Sequence, residues 1–210
     1  KSCFPLTSSG SAVFYNNNRW NIFAKEKITE SPLQLTITPV GITDITGQLS
    51  KGNLGFGLTD YIIYPNAYPV WNADLVYVNY IGLAPNQVKI IKFNNLASIP
   101  VSDFEIPFTF QYDNSVEFFD KTKTSKVIWD KQTKKVFSNT ISVVKTDSVK
   151  RGISLKQSYI WDSAGKKEKI SVSLENTGVN VFLLKKIIPV SFFVNAVFPV
   201  YTDVDATFNP

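Results

Sequence analysis

The chain of 210 residues contains no histidine and no methionine, and its one cysteine is Cys3. Each absence removes chemistry. Zinc sites with His ligands, Ser-His-Asp hydrolases, Cys-His proteases and blue-copper centres all need an imidazole. A single cysteine allows no intramolecular disulfide framework, which leaves Cys3 as a small half-buried side chain or a link to another subunit. Arginine is scarce: the net charge is +5, yet Arg19 and Arg151 are the only guanidinium groups. Base reading and phosphate clamping favour that planar group, so a lysine-dominated balance argues against a nucleic-acid partner. Long apolar runs are missing too. The longest, Val179–Val200, is interrupted by Lys185, Lys186, Pro189, Asn195 and Pro199, and no transmembrane segment is expected.

What is present is a folding composition, with 44% hydrophobic, 14% aromatic and 19% charged residues. Alternation with period two, rich in β-branched and aromatic residues, runs from end to end without a helical apolar stripe. Leu33, Leu35 and Ile37 alternate with Gln34, Thr36 and Thr38, describing a strand with one wet face. Further strands are expected at 75–81, 88–93, 106–112, 116–119, 126–129, 135–144, 152–160, 169–174, 179–184, 190–194 and 197–201. Such spacing predicts an all-β fold, an immunoglobulin-like or jelly-roll β-sandwich. No linker divides the chain, so residues 1–210 read as one domain with strand-like ends; the alternative is a division near 82–87 into two closely packed β subdomains.

The segment Gly47–Pro69 reads differently, because Gly52, Gly55 and Gly57 interleave with Leu54, Phe56 and Leu58. A phosphate loop would follow a strand and open a helix, so GNLGFG predicts a glycine-containing bulge or loop. After it, Tyr61, Tyr64, Tyr68 and Trp71 surround Pro65 and Pro69. They form a candidate surface aromatic cluster for stacking on carbohydrate or a partner, with packing of a buried loop as the plainer use. Lysines 121, 123, 126, 131, 134 and 135 cluster around Val127–Trp129. They suit protection of a strand edge, or else a patch for an anionic polymer or membrane surface.

The chain also resembles itself. Lys89–Phe110 and Lys169–Phe193 each hold an alternating strand, an Asn-containing turn (Asn95, Asn176), a short strand with Val101 or Val181, and Ile-Pro with another apolar segment (Pro107, Pro189). A fainter copy runs over Val13–Thr36. Each unit offers one apolar sheet face that must meet another sheet, which predicts two layers built from related pieces.

Within Val88–Asp162, the runs FNNLASIPV, PFTFQYDNSVEFFD and KVIWDKQTKKVFSNTISV and the Trp161 strand resemble the intracellular proteinase inhibitor family and its secreted relatives. The resemblance covers about a third of the chain and implies an immunoglobulin-like sandwich. It does not bring inhibition with it, since no protease-binding loop is identifiable. LENTGVNV is similar to the Asn-Thr-Gly turn of extracellular immunoglobulin-like adhesion modules of prokaryotes. Fold alone does not settle function.

Candidate chemistry is sparse. Ser163 and Lys166 have the spacing of an acylating Ser-x-x-Lys pair, but Asp-Ser-Ala-Gly between two strand patterns is hairpin chemistry. Asp203 and Asp205 share a strand face, as do Asp103 and Glu105. Either pair could offer oxygens to calcium, without the loop that makes such a signal specific. No cofactor and no catalytic residue is assigned, and the chain is not expected to be an enzyme. A Lys to Asn or Asp crosslink would suit a surface module without disulfides, although the sequence does not select its partners.

Lys1 leading into Ser-Cys-Phe-Pro is expected to follow signal-peptide removal, placing the protein outside the cell or on its surface. The expectation is a structural subunit of a pilus or matrix filament, with roles in adhesion or biofilm, polymerising by β-strand addition. Ala12, Val13, Phe14 and Tyr15 at one end, and Phe198, Val200 and Tyr201 at the other, are the candidate self-assembly segments. The alternatives are a secreted binding module of carbohydrate or protease-inhibitor type, or a jelly-roll capsid protein.

Overall fold

The computed structural model describes residues 11–13, 20–21, 26–30, 33–43, 46–55, 57–80, 86–112, 116–119, 126–127, 134–137, 141–145 and 152–209. The first strands are β1 (Ser11–Val13), β2 (Trp20–Asn21), β3 (Glu26–Glu30), β4 (Leu33–Pro39), β5 (Thr46–Asn53), β6 (Leu58–Tyr68), β7 (Ala73–Tyr80), β8 (Asn86–Phe93) and β9 (Phe104–Tyr112). They are followed by β10 (Val116–Phe119), β11 (Lys126–Val127), β12 (Lys134–Phe137), β13 (Ile141–Lys145), β14 (Gly152–Leu155), β15 (Ser158–Asp162), β16 (Lys167–Ile170), β17 (Val172–Gly178), β18 (Val181–Ile188) and β19 (Val200–Asn209). Short 3-10 turns occupy Pro69–Trp71 and Val190–Asn195. No helix among the described residues is long and apolar enough to cross a membrane.

The strands form two antiparallel sheets packed together, an all-β sandwich. The smaller runs β1-β3-β4-β9-β18-β17-β12, and the larger β11-β10-β13-β14-β19-β8-β7-β6-β5-β2, with β15 and β16 continuing from β19. Alternation along β18 sends Phe182, Leu184, Lys186 and Ile188 inward, beside Ile106, Phe108, Phe110 and Tyr112 of β9. Ile62, Tyr64, Leu75, Tyr77, Ile91, Phe93 and Val200 meet them from the larger sheet. Fully burying each large apolar side chain contributes about 1.5–3 kcal/mol.

Strands β7 and β8 are buried on both faces. Behind the larger sheet Leu54, Val76, Val78, Ile90, Trp161 and Tyr201 make a second core. The turn after β5 supplies its cover: the Trp161 indole N–H donates to the Leu54 carbonyl at 2.8 Å, and the indole stacks on Tyr201 at 5.6 Å. Gly55 sits against that indole with φ +93°, where a Cβ would collide with Trp161.

Two lysines enter the sandwich itself. Lys186 is 0% exposed and donates to the Thr202 carbonyl at 3.2 Å, with Nζ 5.5 Å from the Phe108 ring centre. Lys89 approaches the same ring from β8, at 5.4 Å. The aliphatic stems fill core volume while the ammonium groups find a carbonyl or a ring face.

Several expectations are corrected. Of the GNLGFG run, read as a glycine-containing bulge or loop, Gly52 and Asn53 instead end β5, while Gly55 and Gly57, both at positive φ, lie in the connection to β6. Val190–Val194 is a 3-10 turn, because Phe192 and Phe193 are both buried and a strand would expose one of them. The 135–144 run divides into β12 and β13, on opposite sheets. Val101 lies in a bend and is 99% exposed, whereas Val181 opens a long strand.

Candidate functional site

The two terminal segments proposed for assembly have unlike settings. Ala12 and Val13 belong to β1, on the outer edge of the smaller sheet, joined to β3 through three residue pairs; Phe14 and Tyr15 lie outside the described residues. Val200 and Tyr201 belong to β19, which is laced between β8 on one side and β14 and β15 on the other. Both side chains are buried, and Phe198 stacks on Phe193 at 6.0 Å. The C-terminal run is thus a central strand and not a free tail. Its alternate residues fill both cores, which a loose end could not do.

The aromatic cluster is also redistributed. Tyr64 and Tyr68 are 1% and 2% exposed, and Tyr61 lies on the opposite sheet face from Tyr64. Tyr64 and Tyr68, four residues apart on β6, share its inward face, although the β6–β7 register shifts between them. Tyr64 meets Tyr77 edge-on, while Tyr68 stacks on half-buried Trp71 at 5.4 Å. Burial pushes the Tyr64 and Tyr68 hydroxyls far above the ordinary phenol range. The four residues do not form a surface platform. Trp71 instead starts a stack through Phe104, Phe193 and Phe198 beneath one end of the sandwich.

Several connections meet at that end. Register pairs Tyr68 with Ala73, Ala73 with Phe93, Phe93 with Val200 and Val200 with Asp162. In the smaller sheet Phe104 pairs with Ile188, and Pro39 with Phe108. The loops 40–43, 69–72, 94–103, 163–166 and 189–199 therefore gather at a single pole. Backbone bonds tie them to one another: Thr43 N–H to Ala67, Asn94 N–H to Asn72, and Ser163 N–H to Val197.

Buried carboxylates fix the same loops. Asp74 accepts from the Asn66 N–H at 2.8 Å, the Asn94 amide at 3.0 Å and the Lys92 ammonium at 3.0 Å. Asp162 accepts from the N–H groups of Lys166, Val197 and Ala164 at 2.8, 2.9 and 3.0 Å. Burial alone would raise the Asp162 pKa, but these donors together hold it below the ordinary carboxylate range. Asp103, at the pole's rim, accepts from the Val190 N–H at 2.9 Å.

The remaining sequence candidates are likewise engaged. Ser163 donates to the Pro199 carbonyl at 2.8 Å and Lys166 to the Phe192 carbonyl at 3.1 Å, so the Ser-x-x-Lys pair stitches a hairpin turn to the 189–199 loop. Glu105 takes Lys134 at 2.8 Å and Lys185 at 3.0 Å, the former being the main reason its pKa falls. Asp203 accepts the Tyr159 N–H at 2.8 Å, and burial is the chief influence raising its pKa. The Asp205 side chain lies outside the described set. Among the described residues no three His, Cys, Asp or Glu side chains come together as metal ligands.

The pole itself had no motif to announce it, because it is assembled from five loops. Its signal was compositional: Asp103 and Lys166 are the only charged residues in the described parts of those loops. Comparison with family models, with curated proteins and with solved structures finds no match for the chain.

Proposed function

We propose that this protein is an extracellular structural subunit that polymerises by β-strand addition, with its N-terminal segment as the donor. The observation that carries the reading is the contrast between the terminal strands. A donor must leave its own sheet at small cost, and β1 is an edge strand with three residue pairs. Releasing β19 would instead split the larger sheet and take Val200 from one core and Tyr201 from the other. An added strand satisfies the open N–H and C=O groups of a sheet edge, which makes such edges natural joining points. Burial of Tyr64 and Tyr68 gives the carbohydrate-binding alternative no comparable support.

Electron microscopy and sedimentation of the full chain and of a chain lacking residues 1–15 test the reading. The full chain should form polymers, and the shortened one should remain monomeric until a peptide of residues 1–15 is added. Polymers that survive the deletion, or a full chain that never polymerises, would refute it.

A further inference from the structure

The first three strands cross between the two sheets. β1 lies on the edge of the smaller sheet, pairing with β3 as Ser11 with Ile28, Ala12 with Lys27 and Val13 with Glu26. β2 pairs with β5 at the edge of the larger sheet, and β3 returns to the smaller one between β1 and β4. β1 can therefore part from β3 while β2 stays on β5, with residues 14–19 as its tether. Lifting β1 bares one flank of β3, and a bare flank is a template for another strand.

We propose that this flank is the acceptor: β1 of one copy takes, in unchanged register, the place beside β3 that β1 of a second copy has left, an assignment that rests on the N-terminal strand being the donor. The seat selects its occupant, because the segment that fits it already lies in it. Each of the three residue pairs given up in one copy is recovered in the next, so the exchange needs no new complementary surface. Swapping an identical element is a low-cost route to assembly for that reason.

Charge distinguishes β3 from the other edges. Residues 1–21 contain Lys1 and Arg19 and no acidic residue. β3 is Glu-Lys-Ile-Thr-Glu, with two carboxylates to one ammonium. The opposite edge of the smaller sheet, β12, is Lys-Lys-Val-Phe, and β11, at one edge of the larger sheet, is Lys-Val. The remaining edge is formed by β2, of two residues, and by the part of β5 beyond it, which carries Lys51 and no acidic residue. Lysine guards such edges against stray pairing, so a cationic arm is repelled there and drawn to Glu26 and Glu30. A tether of six residues spans at most about 20 Å, so the two copies meet along the side of the sandwich where β1, β2 and β3 lie.

The test uses the full chain in a Cys3→Ser background. Protein carrying Ala12→Cys is mixed with protein carrying Lys27→Cys, assembled under reductant and then mildly oxidised. Val13→Cys with Glu26→Cys repeats the pairing one residue on, since adjacent antiparallel pairs alternate between a closer and a wider spacing. Ala12→Cys with Val136→Cys, on β12, is the control. Denaturing gels without reductant should show dimers containing one of each protein in at least one β1–β3 mixture, at least tenfold more than in the control, with unchanged circular dichroism. A chain carrying both Ala12→Cys and Lys27→Cys should give a ladder of linked copies. Polymers whose double variant links only within single copies, or in which the β12 control links as well as β3 does, would overturn the acceptor and leave strand addition standing. Absence of any linkage between copies would also overturn it. Linkage of positions 12 and 27 that stops at closed dimers would keep the acceptor and refute polymerisation.

Discussion

Asp162→Asn should destabilise the protein near neutral pH and cease to do so in acid. The carboxylate is buried at the end of β15 and accepts three backbone N–H groups, with Lys166 and Ala164 on one oxygen and Val197 on the other. An amide can keep its carbonyl oxygen on the first two donors, but it then faces the Val197 N–H with a donor of its own. One charge-assisted bond is lost, the part-buried Val197 N–H is left without its acceptor, and the other two bonds weaken. Such a change costs about 2–3 kcal/mol. For a chain of this length that is a fall in Tm of about 4–12 °C.

The pH dependence follows from the same contacts. Because the folded-state pKa lies below the unfolded value, the ionised carboxylate contributes stability that is fully present above about pH 4, the ordinary Asp value. That stability is lost as pH falls through the folded pKa. Urea unfolding of both proteins between pH 7 and pH 2, followed by tryptophan fluorescence, should show two curves that converge at the acid end. Trp161 adjoins Asp162, so the probe reports locally as well as globally. A difference that stays constant across this range would refute an electrostatic role for the side chain and leave only shape.

Two further substitutions probe the cores. Gly55→Ala places a methyl against the Trp161 indole at a positive φ and should cost about 2–4 kcal/mol by thermal or chemical unfolding, with a shift in Trp fluorescence; an unperturbed melting curve would show that the turn is not seated on Trp161. Tyr68→Phe removes a buried hydroxyl that has no hydrogen-bond partner among the described residues. It should be neutral or mildly stabilising, within about 1 kcal/mol, and a larger loss would point to a partner for the hydroxyl.

Local pattern carried the sequence reading furthest where one face of a strand is wet. Val116–Phe119 is expected and found at those bounds, as is the strand that opens at Leu33 and ends at Pro39. Pattern was less informative where both faces are buried or where tertiary packing overrides propensity. Ser191-Phe-Phe-Val has the composition of a strand, yet two adjacent Phe side chains must both reach the core, which a 3-10 turn permits. Glycines at 52, 55 and 57 suggested a loop. Gly52 instead continues β5, leaving room for the Tyr61 ring, and only the other two have positive φ. The order of strands in a sheet depends on pairings between distant residues, so the interior place of Val200–Asn209 had no local signal. The same reason hid the pole, whose loops are spread from Val40 to Pro199.

The place of β19 has a consequence for how the molecule is made. It pairs with β8, more than a hundred residues earlier, and every other described strand precedes it in the chain. During synthesis the ribosome must therefore deliver nearly all of the larger sheet before the strand that unites its two halves. Until then β8 and β14 present bare flanks, and a neighbouring nascent chain could supply its own β19 to fill them. Closing so distant a pair is also intrinsically slow. Folding of this protein is thus expected to be a late, single closure, most exposed to exchange between chains in the interval just before Val200 emerges.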